Sequence, residues 1–316
     1  MLLGRPARAP ARIGGLILCV SRGLQTETLC GHRCRLAGPA QPLVPPRPPL
    51  VLIGGTAQTI DSWAGHVPKL SRHRLVLCYE TAGQAGAFNA PFDLTDCGLG
   101  RHAADFARVV HAAGLAGAPV DVCGFSFGGR VALAAAAGLG ASHDVLSPPD
   151  IRRLALTGVA ADRGAVGRGV VRAWGASLGA GDLREFARNL IRSTYSARHV
   201  AENQGRIDRL VDATVAANSL AGLRAIVEQT HTDDPSDPTH PLAMARKINS
   251  AGDGVHVERG QLLVGAEDTL SPVGAARELA DVAGWEFGVI DDAGHAVPAE
   301  QPAAWRSAVA DFLDAD

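Results

Sequence analysis

Short runs of Val, Leu and Ile recur along the chain, separated by longer stretches whose apolar residues fall three and four apart. Continuous apolar runs are the mark of strands buried on both faces, and the 3.6-residue period between them is that of helices laying one stripe on such a sheet. The pattern predicts strands at 50–53, 74–79, 120–125, 153–158, 261–265 and 286–290. The clearest helices fall at 60–70, 102–113, 129–137, 272–282 and 303–313. Strand and helix in alternation define an α/β chain, a mostly parallel sheet flanked by helices. A weak hairpin at 26–36 precedes the first buried strand. Between Ala161 and His256 the alternation stops, and DLREFARNLIRS, RIDRLVDATVAA and LAGLRAIVEQ read as helices with no buried strand among them. This predicts an inserted helical cap over 161–256, divided by the loop DDPSDPTHP at 233–241, because proline restricts the residue before it as well as itself. The core is then 49–160 with 257–316, behind an extension at 1–48.

A chain of 316 residues, 47% hydrophobic and 20% charged, can bury a large core, which excludes a disordered or fibrous protein. The net charge of -2 conceals an asymmetry: residues 1–48 carry seven Arg and one acid, leaving 23 basic and 31 acidic residues in the body. An acidic body without basic clusters has no footprint for phosphate backbones, so the expected partner is a small-molecule substrate and not nucleic acid. Residues 1–26 are rich in Arg and Ala and free of acids, apart from later Glu27, the composition of a plastid or mitochondrial transit peptide. The alternatives are a plain extension without targeting role, which implies a cytoplasmic protein, and a signal peptide built on IGGLILCV at 13–20. That run is far below the roughly 20 residues that span a bilayer, so no integral membrane segment is expected. Six cysteines are too few for a disulfide framework at this length, and Cys30, His32 and Cys34 match no common zinc spacing. No metal is expected.

Candidate chemistry starts where the run VDVC enters Gly124-Phe125-Ser126-Phe127-Gly128-Gly129 and continues as RVALAAAA. A Gly-x-Ser-x-Gly string between strand and helix holds the serine in a strained turn with its hydroxyl outward, and the helix start offers the Phe127 N–H to a developing oxyanion. Glycine is abundant enough for the string to arise by accident. Gly175-Ala176-Ser177-Leu178-Gly179 repeats it inside the expected cap without the strand and helix, so Ser177 is read as structural. A serine nucleophile needs a base that is itself oriented by an acid. Among eleven histidines, His102, His111 and His199 fall on helical segments, where exposure is expected. His295 instead follows the last strand, in VIDDAGHAVPAEQP, and loops at strand carboxyl ends are where parallel sheets gather reacting groups. By the same reasoning Asp268, in the loop after QLLVG, is the acid, with Glu267 the second choice; Asp291 and Asp292 are read as solvated turn residues.

Ser126, Asp268 and His295, in that order along the chain and with GHAVPAEQPAAW around the histidine, resemble the α/β-hydrolase fold superfamily, specifically its capped serine hydrolases, over about residues 49–316. The resemblance implies Ser126 as nucleophile, Asp268 as acid and His295 as base. Where the family's first-strand loop commonly reads His-Gly, this chain has Leu52-Ile53-Gly54-Gly55-Thr56. A backbone donor does not depend on the missing histidine, so the Thr56 N–H is the expected second oxyanion donor beside that of Phe127. The family's Asp-x-Arg-Gly-x-Gly turn is replaced by Glu80-Thr81-Ala82-Gly83-Gln84-Ala85, with Glu80 read as a turn residue. The implied activity is hydrolysis of a carboxylic ester or thioester of a small hydrophobic or amphipathic substrate, without cofactor. Alternatives within the fold are a lyase or carbon–carbon hydrolase, since Gly128-Gly129-Arg130-Val131-Ala132-Leu133 also resembles 2-succinyl-6-hydroxy-2,4-cyclohexadiene-1-carboxylate synthase, and a small-ligand receptor. The anionic substrate of such a lyase would meet arginines, for which Arg130, Arg188, Arg192 and Arg206 are candidates.

Overall fold

Leu50 and Leu52 enter one hydrophobic layer, Val51 and Ile53 the other. Successive side chains of a strand point to opposite faces, so an unbroken apolar run fits a strand covered on both sides. The computed structural model describes residues 25–39, 47–85, 92–142, 148–249 and 257–315. Eight strands form one sheet among these residues: β1 (Gln25–Leu29), β2 (His32–Ala37), β3 (Leu50–Ile53), β4 (Val76–Tyr79), β5 (Val120–Phe125), β6 (Ile151–Thr157), β7 (Arg259–Gly265) and β8 (Glu286–Ile290). Their spatial order is β1-β2-β4-β3-β5-β6-β7-β8. Pairing is parallel from β4 through β8, while the hairpin β1–β2 adds to β4 antiparallel.

The helices are α1 (Val67–Leu70), α2 (Leu99–Ala112), α3 (Phe127–Ala136), α4 (Gly164–Gly179), α5 (Leu183–Thr194), α6 (Ala197–Glu202), α7 (Gln204–Ala217), α8 (Leu220–Thr230), α9 (Pro241–Asn249), α10 (Val273–Ala283), α11 (Val297–Glu300) and α12 (Pro302–Asp314). One face of the sheet packs on Phe106 of α2, Val131 of α3, Met244 of α9 and Leu279 of α10. The other packs on Val67 of α1 and on Trp305, Val309 and Phe312 of α12. Helices α4 to α8 have a layer of their own, in which Trp174, Leu178, Phe186, Leu190 and Leu223 close on Ala57 and Leu270 from the loops after β3 and β7. These inserted helices therefore lie over the carboxyl ends of the strands.

Four expectations need correction. The helix expected at 60–70 is a 3-10 turn at Ile60–Trp63 followed by α1, whose first turn holds Pro68. Proline has no N–H to give the preceding turn, so the two pieces cannot fuse. The hairpin, expected in an extension ahead of the core, is the sheet's edge: Arg33 of β2 pairs with Glu80 at 2.8 Å and Arg35 with Asp61 at 2.6 Å. Helix α9, expected within the cap, packs chiefly on α3 and α10, because the loop at 233–241 returns the chain to the sheet. His102, expected on the surface, is buried edge-on against the Phe127 ring, with centroids 5.0 Å apart. Segment 1–24 and its expected transit peptide lie outside the described residues. No single helix among the described residues is long and apolar enough to cross a membrane.

Candidate active site

In the order β4-β3-β5, the chain leaves β3 toward one side and resumes at β5 on the other. Such a reversal opens a crevice at the strands' carboxyl ends, which is where ligands sit in open α/β sheets. Ser126 occupies this point, between β5 and α3, with φ 53° and ψ -115°. A non-glycine residue in this region stores strain on the order of 1–3 kcal/mol and must be held there by its surroundings. The Ser126 N–H donates to Thr157 O at 2.8 Å and its carbonyl accepts from the Arg130 N–H at 3.1 Å. The flanking glycines allow the turn to close. A Cβ on Gly124 would stand 2.6 Å from Gly128 O, and one on Gly128 would overlap the carbonyls of Ile53 and Gly54.

The structure brings the three candidate groups together although they come from three separate loops. His295 Nε2 lies 2.7 Å from Ser126 Oγ, and His295 Nδ1 lies 2.8 Å from Asp268 Oδ2. The other oxygen of Asp268 accepts from the backbone N–H groups of Leu270 and Ser271, each at 2.8 Å, which fixes the carboxylate in the plane that faces His295. Since the carboxylate accepts, Nδ1 carries the imidazole hydrogen and Nε2 is left to accept from the serine hydroxyl. Asp268 and His295 are buried, whereas Glu267, Asp291 and Asp292 are exposed, and Asp292 pairs with Arg198. Gly158, after β6, is held at φ +68°, and a Cβ there would meet His295 Cε1 at 2.9 Å. Ser177 sits within α4, donating to Ala173 O at 3.0 Å and accepting from Asn189, with no histidine partner.

Thr56 follows β3, next to the serine: a Cβ on Gly55 would stand 3.4 Å from Ser126 Cβ. In this loop the Gly55 N–H donates to Gln58 Oε1 and the Ala57 N–H to Gln84 Oε1, both at 2.8 Å. The N–H groups of Thr56 and Phe127 have no acceptor among the described residues. Gln84 also donates to Gly55 O at 3.2 Å, so its carboxamide brackets Thr56. Asn218, between α7 and α8, donates to Ala57 O at 3.2 Å and accepts from the Ala85 N–H at 3.0 Å. Glu300 fixes the histidine loop, accepting from the Gly294 N–H at 2.9 Å and from the Ser196 N–H of the inserted helices at 3.0 Å. Sequence reasoning missed Gln84, Asn218 and Gly158. Only Glu300 had a signal, lying in the segment that resembles the family's histidine loop. Glu80 is a buried carboxylate and no ordinary turn residue: it accepts from Arg33 and from the Ile60 N–H.

Two cavities meet at Ser126. One, of about 130 Å³, lies under the inserted helices and is lined by Thr56, Phe125, Trp174, Leu190, Ile191 and Tyr195. The other, of about 30 Å³, is bordered by Arg130 and Arg163. Of the four arginines considered for an anionic substrate, Arg188, Arg192 and Arg206 are exposed or outside both cavities, and Arg130 is buried.

Fold and site together define a hydrolase. The chain belongs to the alpha/beta hydrolase family, whose model matches residues 50–308. Among solved structures it is similar to the enol-lactonase from Burkholderia xenovorans, with 20% identity, a TM-score of 0.70 and coverage of 92% of this chain and 99% of that one. A hydrolase from Pseudomonas aeruginosa is 23% identical with a TM-score of 0.69, covering 93% of this chain and 99% of that one. A thermophilic esterase from Thermogutta terrifontis is 17% identical with a TM-score of 0.67, covering 92% and 98%. At these identities the likeness is one of fold. No curated protein matches the chain.

Proposed function

We propose that the protein is a serine hydrolase that cleaves a carboxylic ester or thioester of a small hydrophobic or amphipathic molecule, with the inserted helices acting as its cap. The observation that carries this reading is the continuous pair of hydrogen bonds from Ser126 through His295 to Asp268. His295 Nε2 takes the hydroxyl proton as Ser126 Oγ bonds to the carbonyl carbon. Asp268 stabilises the imidazolium without itself taking a proton. The Thr56 and Phe127 N–H groups receive the oxyanion, a contribution of about 2.7–4 kcal/mol per donor. Collapse of the tetrahedral adduct breaks the bond to the leaving alkoxide or thiolate, which takes the proton from His295. Water then gives a proton to His295 and its oxygen to the acyl carbon, releasing the acid and restoring the serine. The cavity, lined by Trp174, Leu190 and Leu210 together with Thr194, Tyr195 and Thr214, supports an amphipathic substrate body.

The test is labelling of the full chain by a fluorophosphonate probe together with a chain-length series of p-nitrophenyl esters. Ser126→Ala is expected to abolish labelling and Ser177→Ala to leave it intact. Labelling retained in Ser126→Ala and lost in Ser177→Ala would move the nucleophile to α4.

A further inference from the structure

Trp174 stands in α4 and lines the larger of the two cavities at Ser126. The side chain is 3% exposed, and its Nε1 has no hydrogen-bond partner among the described residues. An indole N–H can only donate, and a buried donor left without an acceptor is destabilising. The apolar lining of the cavity, Leu190, Ile191 and Leu210, has no side-chain acceptor to give. The Phe186 ring, T-shaped to the indole with centroids 6.2 Å apart, supplies packing and no lone pair. A fold keeps such a donor where a ligand brings the acceptor.

The rest of the lining narrows what that acceptor is. No Asp, Glu, Lys or Arg is among the residues that line this cavity. An ionised group placed there would lose its water without gaining a counter-charge, so the acceptor is neutral. Gln58, whose carbonyl oxygen already accepts from the Gly55 N–H at 2.8 Å, leaves its NH2 as a further donor on the same lining. The cavity of about 130 Å³ has room for roughly ten waters, hence for a body of about that many non-hydrogen atoms.

We infer that the part of the substrate under the inserted helices is neutral and carries an oxygen besides that of the scissile carbonyl, in an ether, ketone or hydroxyl, and that the Trp174 Nε1–H donates to it. Trp174 thereby selects oxygenated esters over plain hydrocarbon ones. The inference deepens the serine hydrolase reading and rests on it for the reacting centre, but not for the donor.

Two measurements separate the two claims. The first compares kcat/KM for p-nitrophenyl 3-methoxypropanoate, 4-methoxybutanoate and 5-methoxypentanoate with that for the pentanoate, hexanoate and heptanoate, pairs of equal length in which one oxygen replaces one methylene. Wild type is expected to favour the ether in at least one pair, against the loss that burial of an unpaired oxygen would bring. Trp174→Phe keeps an aromatic ring without the donor, and is expected to lower the ether to methylene ratio of that pair about 2- to 10-fold, the range for one neutral hydrogen bond. Trp174→Tyr, whose hydroxyl can donate again, is expected to fall between. A wild type that favours the methylene ester in every pair, or a ratio unchanged in Trp174→Phe, overturns the inference. The second is NMR of the wild-type indole N–H groups with 4-methoxybutan-2-one, 5-methoxypentan-2-one and 6-methoxyhexan-2-one, which needs no turnover. The Trp174 signal, the one missing in Trp174→Phe, is expected to move downfield with at least one of them, and less with the plain ketone of equal length. That result supports the donor even if the fluorophosphonate fails to label Ser126. A signal unmoved by all three at millimolar concentration, or moved equally by hexan-2-one, heptan-2-one and octan-2-one, overturns it.

Discussion

The carboxamide of Gln84 spans the peptide groups on either side of Thr56, accepting from Ala57 and donating to Gly55. A flexible glycine loop is thereby held at one setting. Gln84→Leu is expected to lower kcat on p-nitrophenyl butyrate about 10- to 100-fold, part of the roughly 10²–10³ that an oxyanion donor contributes, with KM changed little. Gln84→Glu keeps only the accepting oxygen and is expected to fall between. A change confined to KM would count against a positioning role.

Asp268→Asn tests the direction of the hydrogen bonds. The amide oxygen can still accept from Leu270 and Ser271, so the fold is expected to hold, while the amide NH2 faces His295 Nδ1. The imidazole must then carry its hydrogen on Nε2, which can no longer accept from Ser126. A drop in kcat of about 10⁴ with the thermal midpoint within a few degrees of wild type is expected.

Two glycine substitutions separate backbone strain from helix propensity. Gly158→Ala places a methyl group against the His295 ring at a positive φ and is expected to cost about 1–3 kcal/mol of stability and most of the activity. Gly175→Ala lies within α4 with nothing within 4 Å of the new methyl group, so it is expected to raise stability by about 0.5–1 kcal/mol without loss of turnover. Urea unfolding and ester hydrolysis check both.

Burial lowers the pKa of His66 and of His102 from 6.5 to about 4. As pH falls through 6.5 the unfolded chain binds protons that the native chain refuses, so stability decreases, and the decrease ends near pH 4 where the native imidazoles protonate too. At 1.36 kcal/mol per unit each contributes a loss on the order of 3 kcal/mol. The thermal midpoint is expected to fall between pH 7 and pH 4.5, and to fall less steeply in His102→Leu. Equal slopes in the two proteins would locate the acid sensitivity elsewhere.

Much of this arrangement is legible in the chain because strand burial and the serine turn leave local marks. The runs at 50–53 and 120–125 coincide with β3 and β5, which are buried along their whole length, and the run at 286–290 coincides with β8, the partly exposed edge strand. The string around Ser126 is readable because its glycines answer to neighbours four residues away. Polar contacts across distant loops leave no such mark: Asn218 meets Ala57 and Ala85 over separations of 161 and 133 residues. The burial of His102 was hidden for a related reason, because a helix's apolar stripe does not reveal which polar residue will face a ring such as Phe127. The placement of α9 likewise depended on where its loop returned the chain, which its own periodicity does not encode.

Asn218 and Glu300 each join the inserted helices to a loop that carries a reacting group, one at Ala57 and the other at Gly294 and Ser196. The insertion is consequently not an interchangeable module. A chimera that took these helices from a relative without matching partners would sever both ties, leaving a well-folded sheet whose donors and base are no longer set relative to each other.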